Sequence, residues 1–538
     1  MNAHGGRAWR GVQQSPQSRA EVTTAHMETC DLCIIGAGYA AVNAFNAASK
    51  HLPKGSRVVV VAQQSCWGGQ WVEQYDFVRL HQAYPLYTAG EREWSISGKK
   101  PWSYLATKKE VLQHFEDVVA ANISEKELKL VSLFRYEYDG YSVEDGKVRL
   151  VVKSLVSEGG AALPPVAIVA DRMIVATGVN IPRKPPIDFS TPVSASVHSL
   201  CPADILSPRW HPIMKYSEDA DKPIWIVGSG KTAMDIICVL SRQEPTWLSR
   251  LRCISGRGTW FMDRNMVDNP VDADGKLLPV YFLEMCAMFD GRNARDVYQA
   301  LAAKGFFHSF VADAQNFVAG IASKDEIETC KAALTPASER VLKCHLMDVE
   351  ESAEAGLRMK LRALDGHTVE YRPLERGSFI INCTDNVLEG QLDVQPIVSD
   401  DGLVLTPQNP LRHSGLSAHL QTHAWYLGLL DGVWQQFIVN PSWNYDQKDT
   451  FMLQGIVGHN TRLISAVLPK EILGETKALA HPPGLPPPTP EWLARVKECT
   501  ALIAKRHETM DKARYTDRVP LSTREKKLVL GGNIGQQR

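Results

Sequence analysis

Apolar positions along the chain fall into one pattern that is used twice. Asp31-Leu32-Cys33-Ile34-Ile35 reads as a short buried strand running straight into Gly36-Ala37-Gly38-Tyr39-Ala40-Ala41. Val42, Phe45 and Ala48 then return at helical spacing, and Arg57 to Val61 make a second strand-like run rich in β-branched residues. A helical stretch follows near 108–122, the hairpin signal Asp145-Gly146 separates two strand-like runs, and Arg172-Met173-Ile174-Val175 ends in Ala176-Thr177-Gly178. The series then restarts. Pro223-Ile224-Trp225-Ile226-Val227 leads into Gly228-Ser229-Gly230-Lys231-Thr232-Ala233, with Met234, Ile237, Val239 and Leu240 continuing as a helix. A second hairpin signal, Asp365-Gly366, precedes Phe379-Ile380-Ile381 and then Asn382-Cys383-Thr384-Asp385.

Strand, glycine turn, helix and strand is the order of a dinucleotide-binding unit. The repetition predicts an α/β fold of two Rossmann-like dinucleotide-binding domains, each with a β-meander, the second inserted into the first and accompanied by a partly helical insertion. The expected division is a disordered leader over 1–27, a first domain over 28–205, a second over 206–375, a return to the first over 376–480, and a proline-rich linker with a charged tail over 481–538. In the leader, Arg7, Arg10 and Arg19 with no acidic residue before Glu21 also leave an organelle-targeting peptide open.

The glycine turns carry the chemistry. The first Gly permits the turn, the second lets the backbone approach a pyrophosphate, and the helix N-terminus offers free N–H groups with a partial positive charge. Two such turns, about 190 residues apart and each between a strand and a helix, point to two bound dinucleotides. An acidic residue usually closes the second strand and binds the adenosine ribose, but here the stretch is Val61-Ala62-Gln63-Gln64, so Gln63 is the candidate for that contact. Lys231-Thr232 does not belong to a triphosphate-binding loop, because the Gly required five positions before Gly230 is Trp225. Arg257, in the glycine-flanked segment after the next expected strand, is suited to the 2′-phosphate of NADPH.

Composition narrows the setting. With 538 residues, 44% hydrophobic and 22% charged, the chain is globular and large enough for several cores. A formal net charge of −1 supplies no global field for nucleic acid, and no apolar run reaches the length of a membrane span. The eleven cysteines are scattered singly, which fits a reducing, cytoplasmic setting. Cys30 and Cys33 sit on the first strand, where alternation sends i and i+3 to opposite faces, so they read as core packing; Cys66 and Cys238 have no partner nearby in sequence. His419 and His423 share helical spacing but lack the Glu of a zinc-protease motif, and no metal is expected. The aromatics between 261 and 345 suggest a helical subdomain, and a substrate pocket is expected from 261–345 and 386–470.

Gly36 to Ala41, Gly68-Gly69-Gln70-Trp71, Leu80-His81, Ala176-Thr177-Gly178 with Pro182 and Pro185, Gly228 to Asp235, and Arg257 to Trp260 together resemble the class B flavoprotein monooxygenases. The resemblance covers about residues 30–430. It implies FAD in the first unit, touched by Gly36, Ala37, Gly38, Tyr39, Ala40, Ala41, Gln63, Gly69, Gln70, Trp71, Leu80, Thr177 and Gly178. It implies NADPH in the second, touched by Gly228, Ser229, Gly230, Lys231, Thr232 and Arg257, with Thr384 and Asp385 completing the cofactor contacts. His81 and Gln82 are the flavin-facing polar candidates for the catalytic role. Two departures stand out: the interdomain fingerprint of the Baeyer-Villiger members survives only as His198, and Lys231 replaces the usual Asn of the NADPH turn, either to touch phosphate or to face solvent.

The activity so implied is NADPH-driven insertion of one oxygen atom of O2 into a small organic substrate through a C4a-(hydro)peroxyflavin. An NADPH oxidase or flavin reductase, and a non-catalytic flavin-binding redox sensor, are the alternatives. The expected partners are the substrate and O2, without nucleic acid or a membrane span, and with a homodimer left open.

Overall fold

The computed structural model describes residues 26–158, 161–177, 185–189, 196–268, 281–289, 293–384, 397–407, 413–430, 464, 466–472 and 488–509. Gly178, Pro182, Asp385, Trp434, residues 1–25 of the expected leader and most of the proline-rich stretch lie outside these.

Strand β1 (His26–Ile35) is buried on both faces over its last four residues, as a central parallel strand must be. Helix α1 (Tyr39–Ser49) follows, then β2 (Arg57–Ala62), α2 (Lys108–Lys126), β3 (Lys129–Phe134), β4 (Lys147–Ser154) and β5 (Val166–Val175). The sheet order is β3-β2-β1-β5-β4, parallel except for the β4–β5 pairing. The expected hairpin forms with Asp145 at φ +52° and Gly146 at φ +68°, the pair of positive φ values that a two-residue turn of this hand needs.

Cys30 and Cys33 depart from strict alternation. Both join the layer of Val59, Val148, Met173 and Val404 rather than opposite faces, and the β1–β5 ladder pairs Cys30 with Ala170 and then Leu32 with Arg172, passing over Asp31. Both thiols are free and buried, and burial pushes both up in pKa, Cys30 to about 12.

The second unit repeats the plan. It comprises β6 (Val197–Leu200), β7 (Ile224–Val227), α3 (Lys231–Gln243) and β8 (Leu251–Ile254); then β9 (Thr259–Asp263), α4 (Tyr281–Met288), α5 (Ala294–Ala303), β10 (Phe307–His308) and β11 (Asn316–Ala322); then α6 (Lys324–Ala333), β12 (Val341–Leu342), β13 (Cys344–Ser352), β14 (Gly356–Ala363), β15 (Val369–Pro373) and β16 (Ser378–Asn382). A five-stranded parallel sheet has the order β6-β16-β7-β8-β12, and β13-β14-β15 is its antiparallel meander. The second sheet therefore takes in strands on either side of 206–375.

The chain then returns: β17 (Val404–Leu405) adds to β5, and α7 (Ser414–Tyr426) lies on α1. A Cβ on Gly415 would come 2.5 Å from the Tyr39 ring, so this glycine sets how closely the two helices approach. Caught between the sheet, α2 and α7, α1 buries ten of its eleven residues, which explains its alanines. Trp425 is buried in the same core, as a core helix requires.

The segment expected to be a helical subdomain is mixed. β9 lies between β10 and β11 in a three-stranded sheet, and Tyr298 of α5 packs against Phe307 of β10 and Phe317 of β11. Helix α8 (Pro490–Thr509) completes this core with Cys499 and Ile503, and Arg495 Nε donates to Glu284 at 3.1 Å. The aromatics thus cover a small sheet, a long-range pairing that helical spacing does not reveal.

A buried polar seam joins α1 to α2: Ser49 Oγ donates to Asn122 Oδ1 at 2.8 Å, and Asn122 Nδ2 donates to Asn46 Oδ1 at 3.0 Å and Val118 O at 2.8 Å. Replacing Asn122 with Ala strands these partners without water, so N122A should lose about 1–3 kcal/mol of stability, seen as a lower urea midpoint with an unchanged slope.

Candidate dinucleotide turns and the interdomain cleft

The two glycine turns are superimposable in their bonding. Gly36 has φ +105°, its N–H donates to Val61 O at 2.7 Å, and Ala176 N donates to Ile35 O at 2.8 Å. Gly228 has φ +115°, its N–H donates to Ile254 O at 2.8 Å, and Cys383 N donates to Val227 O at 2.8 Å. A Cβ would lie 2.5 Å from Ala176 O in the first and 2.7 Å from Cys383 O in the second, so only glycine fits either. Beyond each turn the helix starts without a side-chain cap and without an acidic residue in its first turn, at Gly38 for α1 and Gly230 for α3. In contrast, α2 and α6 are closed by the capping boxes Thr107/Glu110 and Ser323/Glu326. Both helices that follow the glycines thus keep their amide ends open, and a Cβ on Gly230 would face open space.

The Gly68-Gly69 turn presses onto the first site. Gly68 N donates to Ala37 O at 2.7 Å, and a Cβ on Gly69 would sit 2.6 Å from Gly38 Cα. Gln70 next to it is exposed, while Trp71 is buried with Nε1 donating to Tyr87 Oη at 2.9 Å. Tyr39 stacks on Tyr87 at 3.9 Å and donates to Thr88 O, so its ring belongs to the core. Ala37 and Ala41 are buried and Ala40 half-buried. Gln63 is exposed just past β2, and Thr177 and Thr384 are exposed at matching positions past β5 and β16.

In the second site Ser229 Oγ donates to Ser255 O at 2.8 Å, which fixes the turn to the end of β8. Arg257 is exposed between β8 and β9, beside His345 of β13, whose pKa is lowered by burial and then by Arg362 and Arg257. His198, the remnant of the interdomain fingerprint, bonds Asp219 at 2.7 Å and stacks on Phe379, a structural placement.

Lys231 neither faces solvent nor stands unpaired. Its Nζ donates to Asp235 and lies 3.4 Å from Glu326 Oε1, while Arg264 also donates to Glu326 and its Nε reaches His81 O at 3.1 Å. Tyr75 Oη donates to Asp235 Oδ2 at 2.8 Å and Thr232 bonds the Tyr75 hydroxyl. Burial opposes the charge on Glu326, but Lys231, Arg264 and the Ser323 amide outweigh it and hold the carboxyl at about 2. Burial likewise opposes the Lys231 ammonium and is overcome by Asp235 and Glu326, leaving its pKa raised. His81 goes the other way: burial first, then Lys231 and Arg264, lower it to about 4. Its Nδ1 is shielded from solvent with no hydrogen-bond partner, and Gln82 beside it is half-buried.

Lys231, Asp235, Arg264 and Glu326 form one wall of a cleft of about 670 Å³ between the two units, facing Phe77 to Leu80 and Ser103 to Leu105 of the first, while His81 and Gln82 do not line it. From the stretches expected to build a pocket, the cleft draws Arg264 and residues around Glu326, and none of the described residues of 386–470. Sequence reasoning passed over Tyr75, Arg264 and Glu326, which lie far apart in the chain, and took in Asp235 only as the end of the Gly228 to Asp235 motif. Among the described residues no group of His, Cys, Asp and Glu is arranged to hold a metal, and no helix is long and apolar enough to cross a membrane. His423 Nδ1 instead bonds His51 Nε2 at 2.8 Å.

Residues 30–253 match the family described as pyridine nucleotide-disulphide oxidoreductase. The fold is mixed α/β, with a parallel sheet in each of two Rossmann-like units. A curated relative, the uncharacterized protein Rv2000 of Mycobacterium tuberculosis, is 25% identical over 264 residues, 47% of this chain and 43% of its own. The chain thus spans less than half the length of the curated relatives it matches. Solved structures that resemble it include DfoA, the FAD-bound cadaverine monooxygenase of Erwinia amylovora, with 15% identity, TM-score 0.42 and coverage of 82% of this chain and 96% of that one. Cyclohexanone monooxygenase follows with 12% identity, TM-score 0.48 and coverage of 84% and 98%, and the bacillithiol disulfide reductase of Bacillus cereus with 9%, 0.43, 75% and 99%.

The ion cluster has a pH signature. Because the Glu326 carboxyl titrates lower in the folded chain, its stabilising contribution is complete above the ordinary carboxylate range and fades as pH falls toward about 2. E326Q should therefore cost about 2–3 kcal/mol at pH 7, with the gap from the unaltered protein narrowing as denaturation is measured at successively lower pH. A gap that stays constant with pH would place Glu326 outside the charge balance.

Proposed function

We propose that this chain is a flavin-dependent, NADPH-consuming monooxygenase that places one oxygen atom of O2 into a small organic substrate. One observation carries the reading: two identically bonded glycine turns, each opening an uncapped helix, belong to units that meet across a charge-balanced cluster where one imidazole nitrogen has no partner. The resemblance of the motifs to class B flavoprotein monooxygenases supplies the reaction type, and the match over 30–253 supports it at the level of the fold.

The residues present suit both cofactors. Gly36, Gly38 and the open amides of α1 would hold the FAD pyrophosphate, pinned by the Gly68-Gly69 turn, with the amide of exposed Gln63 taking the ribose in place of a carboxylate. Gly228 to Gly230 with the open end of α3 would hold the NADPH pyrophosphate, and the exposed Arg257 guanidinium its 2′-phosphate. When bound, the flavin accepts a hydride from NADPH and delivers electrons to O2.

The chain's own residues set the surroundings. His81 is neutral at physiological pH, so it offers Nδ1 to a bound group as a hydrogen-bonding partner without adding charge. Lys231 and Arg264 are balanced by Asp235 and Glu326, which keeps a fixed polar wall on the cleft without net charge. Tyr75 and Phe77, their rings 4.5 Å apart, help to keep water from the join between the units.

The test is to load the purified protein with FAD and follow NADPH use and hydrogen peroxide release while amines, sulfides and ketones are added in turn. One class should accelerate NADPH use, lower the peroxide yield and return an oxygenated product. Stoichiometric peroxide with every class would make the protein an NADPH oxidase instead. In the same assay R257A should raise KM for NADPH by about tenfold, the worth of one charge-assisted hydrogen bond, and leave KM for NADH within about twofold.

A further inference from the structure

Cys238 and Cys330 stand 92 positions apart in the sequence and face each other across the contact between α3 and α6. The contact is reciprocal. Cys238 Sγ lies 3.8 Å from Glu326 O and Cys330 Sγ lies 4.0 Å from Met234 O, so each thiol reaches the carbonyl one turn before the other cysteine. Both are in one apolar core, Cys330 fully buried, whereas Cys238 also lines the interdomain cleft with Val239 and Thr329. Both thiols are buried, Cys238 at 4% exposure, and the side of the pair that borders the cleft is that of Cys238.

We propose that Cys238 and Cys330 are a peroxide-sensitive thiol pair, in which Cys238 meets hydrogen peroxide in the cleft and Cys330 closes on it to form a disulfide between α3 and α6. The Cys238 sulfur attacks one peroxide oxygen, the O–O bond breaks, and the departing hydroxide takes a proton to leave as water, so Cys238 becomes a sulfenic acid. The Cys330 sulfur then attacks the Cys238 sulfur, its proton leaves with the sulfenic hydroxyl as a second water, and the S–S bond forms. Two thiols are oxidised and one peroxide is reduced to two waters.

The surroundings favour this order of events. A hydrogen bond from Cys330, helped by the Lys231 charge against burial, lowers the pKa of Cys238, whereas Cys330 is raised. Burial raises Cys30, Cys33, Cys253 and Cys383, so Cys238 alone among the shifted cysteines moves toward thiolate. The disulfide would tie the helix carrying Lys231 and Asp235 to the one carrying Glu326, fixing the cleft wall.

The experiment uses the full chain, reduced and desalted, then exposed to graded hydrogen peroxide, alkylated and mapped by mass spectrometry without reductant. Added peroxide makes the result independent of turnover and of the proposed oxygenase activity. A Cys238–Cys330 crosslinked peptide should appear and vanish with dithiothreitol, and Cys238 should oxidise about tenfold faster than the half-buried Cys66. C330S should leave a Cys238 sulfenic acid that dimedone traps, and C238S should leave Cys330 reduced. The proposal fails if both cysteines alkylate as free thiols after peroxide, or if Cys330 oxidises equally well in C238S.

Discussion

A methyl group cannot be placed on Gly36 or on Gly228, because a strand-end carbonyl already occupies the space, 2.5 Å away in one unit and 2.7 Å in the other. That close approach lets each turn hydrogen-bond to the strands on either side of it, Gly36 to Val61 and Ala176 to Ile35, Gly228 to Ile254 and Cys383 to Val227. It also aims the first turn of α1 and α3 over the ends of the strands with their amides unclaimed. The exposed threonines past β5 and β16 arrive at the same edge because those strands are the ones the glycines touch. Much of what looks functional in the molecule follows from two residues having no side chain.

The second constraint is the join between the units. Lys231, Asp235 and Glu326, half-buried, and Arg264, buried, hold two charges of each sign in the join, and such a set roughly breaks even against apolar packing while penalising any geometry that separates the partners. Its value is positional. Arg264 touches both Glu326 and the His81 carbonyl, so the loop of the first unit that carries His81 is indexed to the second unit through one guanidinium. The Lys231 that replaces an Asn of the related motif is the cation at the centre of this arrangement.

Cysteine usage separates along the same lines. Thiols in the sheets, such as Cys30, Cys33 and Cys253, are surrounded by strands and held far from ionisation by burial. Cys238 sits on a helix face that forms both core and cleft, and meets Cys330 there. A pair of cysteines close in sequence proved to be packing, and a pair far apart in sequence proved to be in contact.

Strand periodicity, the glycine turns and the hairpin dipeptides were legible in the chain because their causes are local: burial on a strand, φ of a glycine, a two-residue turn. So were the two-unit architecture and the open helix ends, which need no more than the residues on either side. Tertiary structure alone decided that Tyr39 and Trp71 commit their rings to the core, that the aromatic segment after β9 covers a small sheet closed by α8, and that Glu326 and Arg264 complete a cluster around Lys231. Those outcomes depend on which surfaces meet after the chain has folded over separations of tens to hundreds of residues. Local patterning records a residue's own environment and carries no term for the partner across the interface.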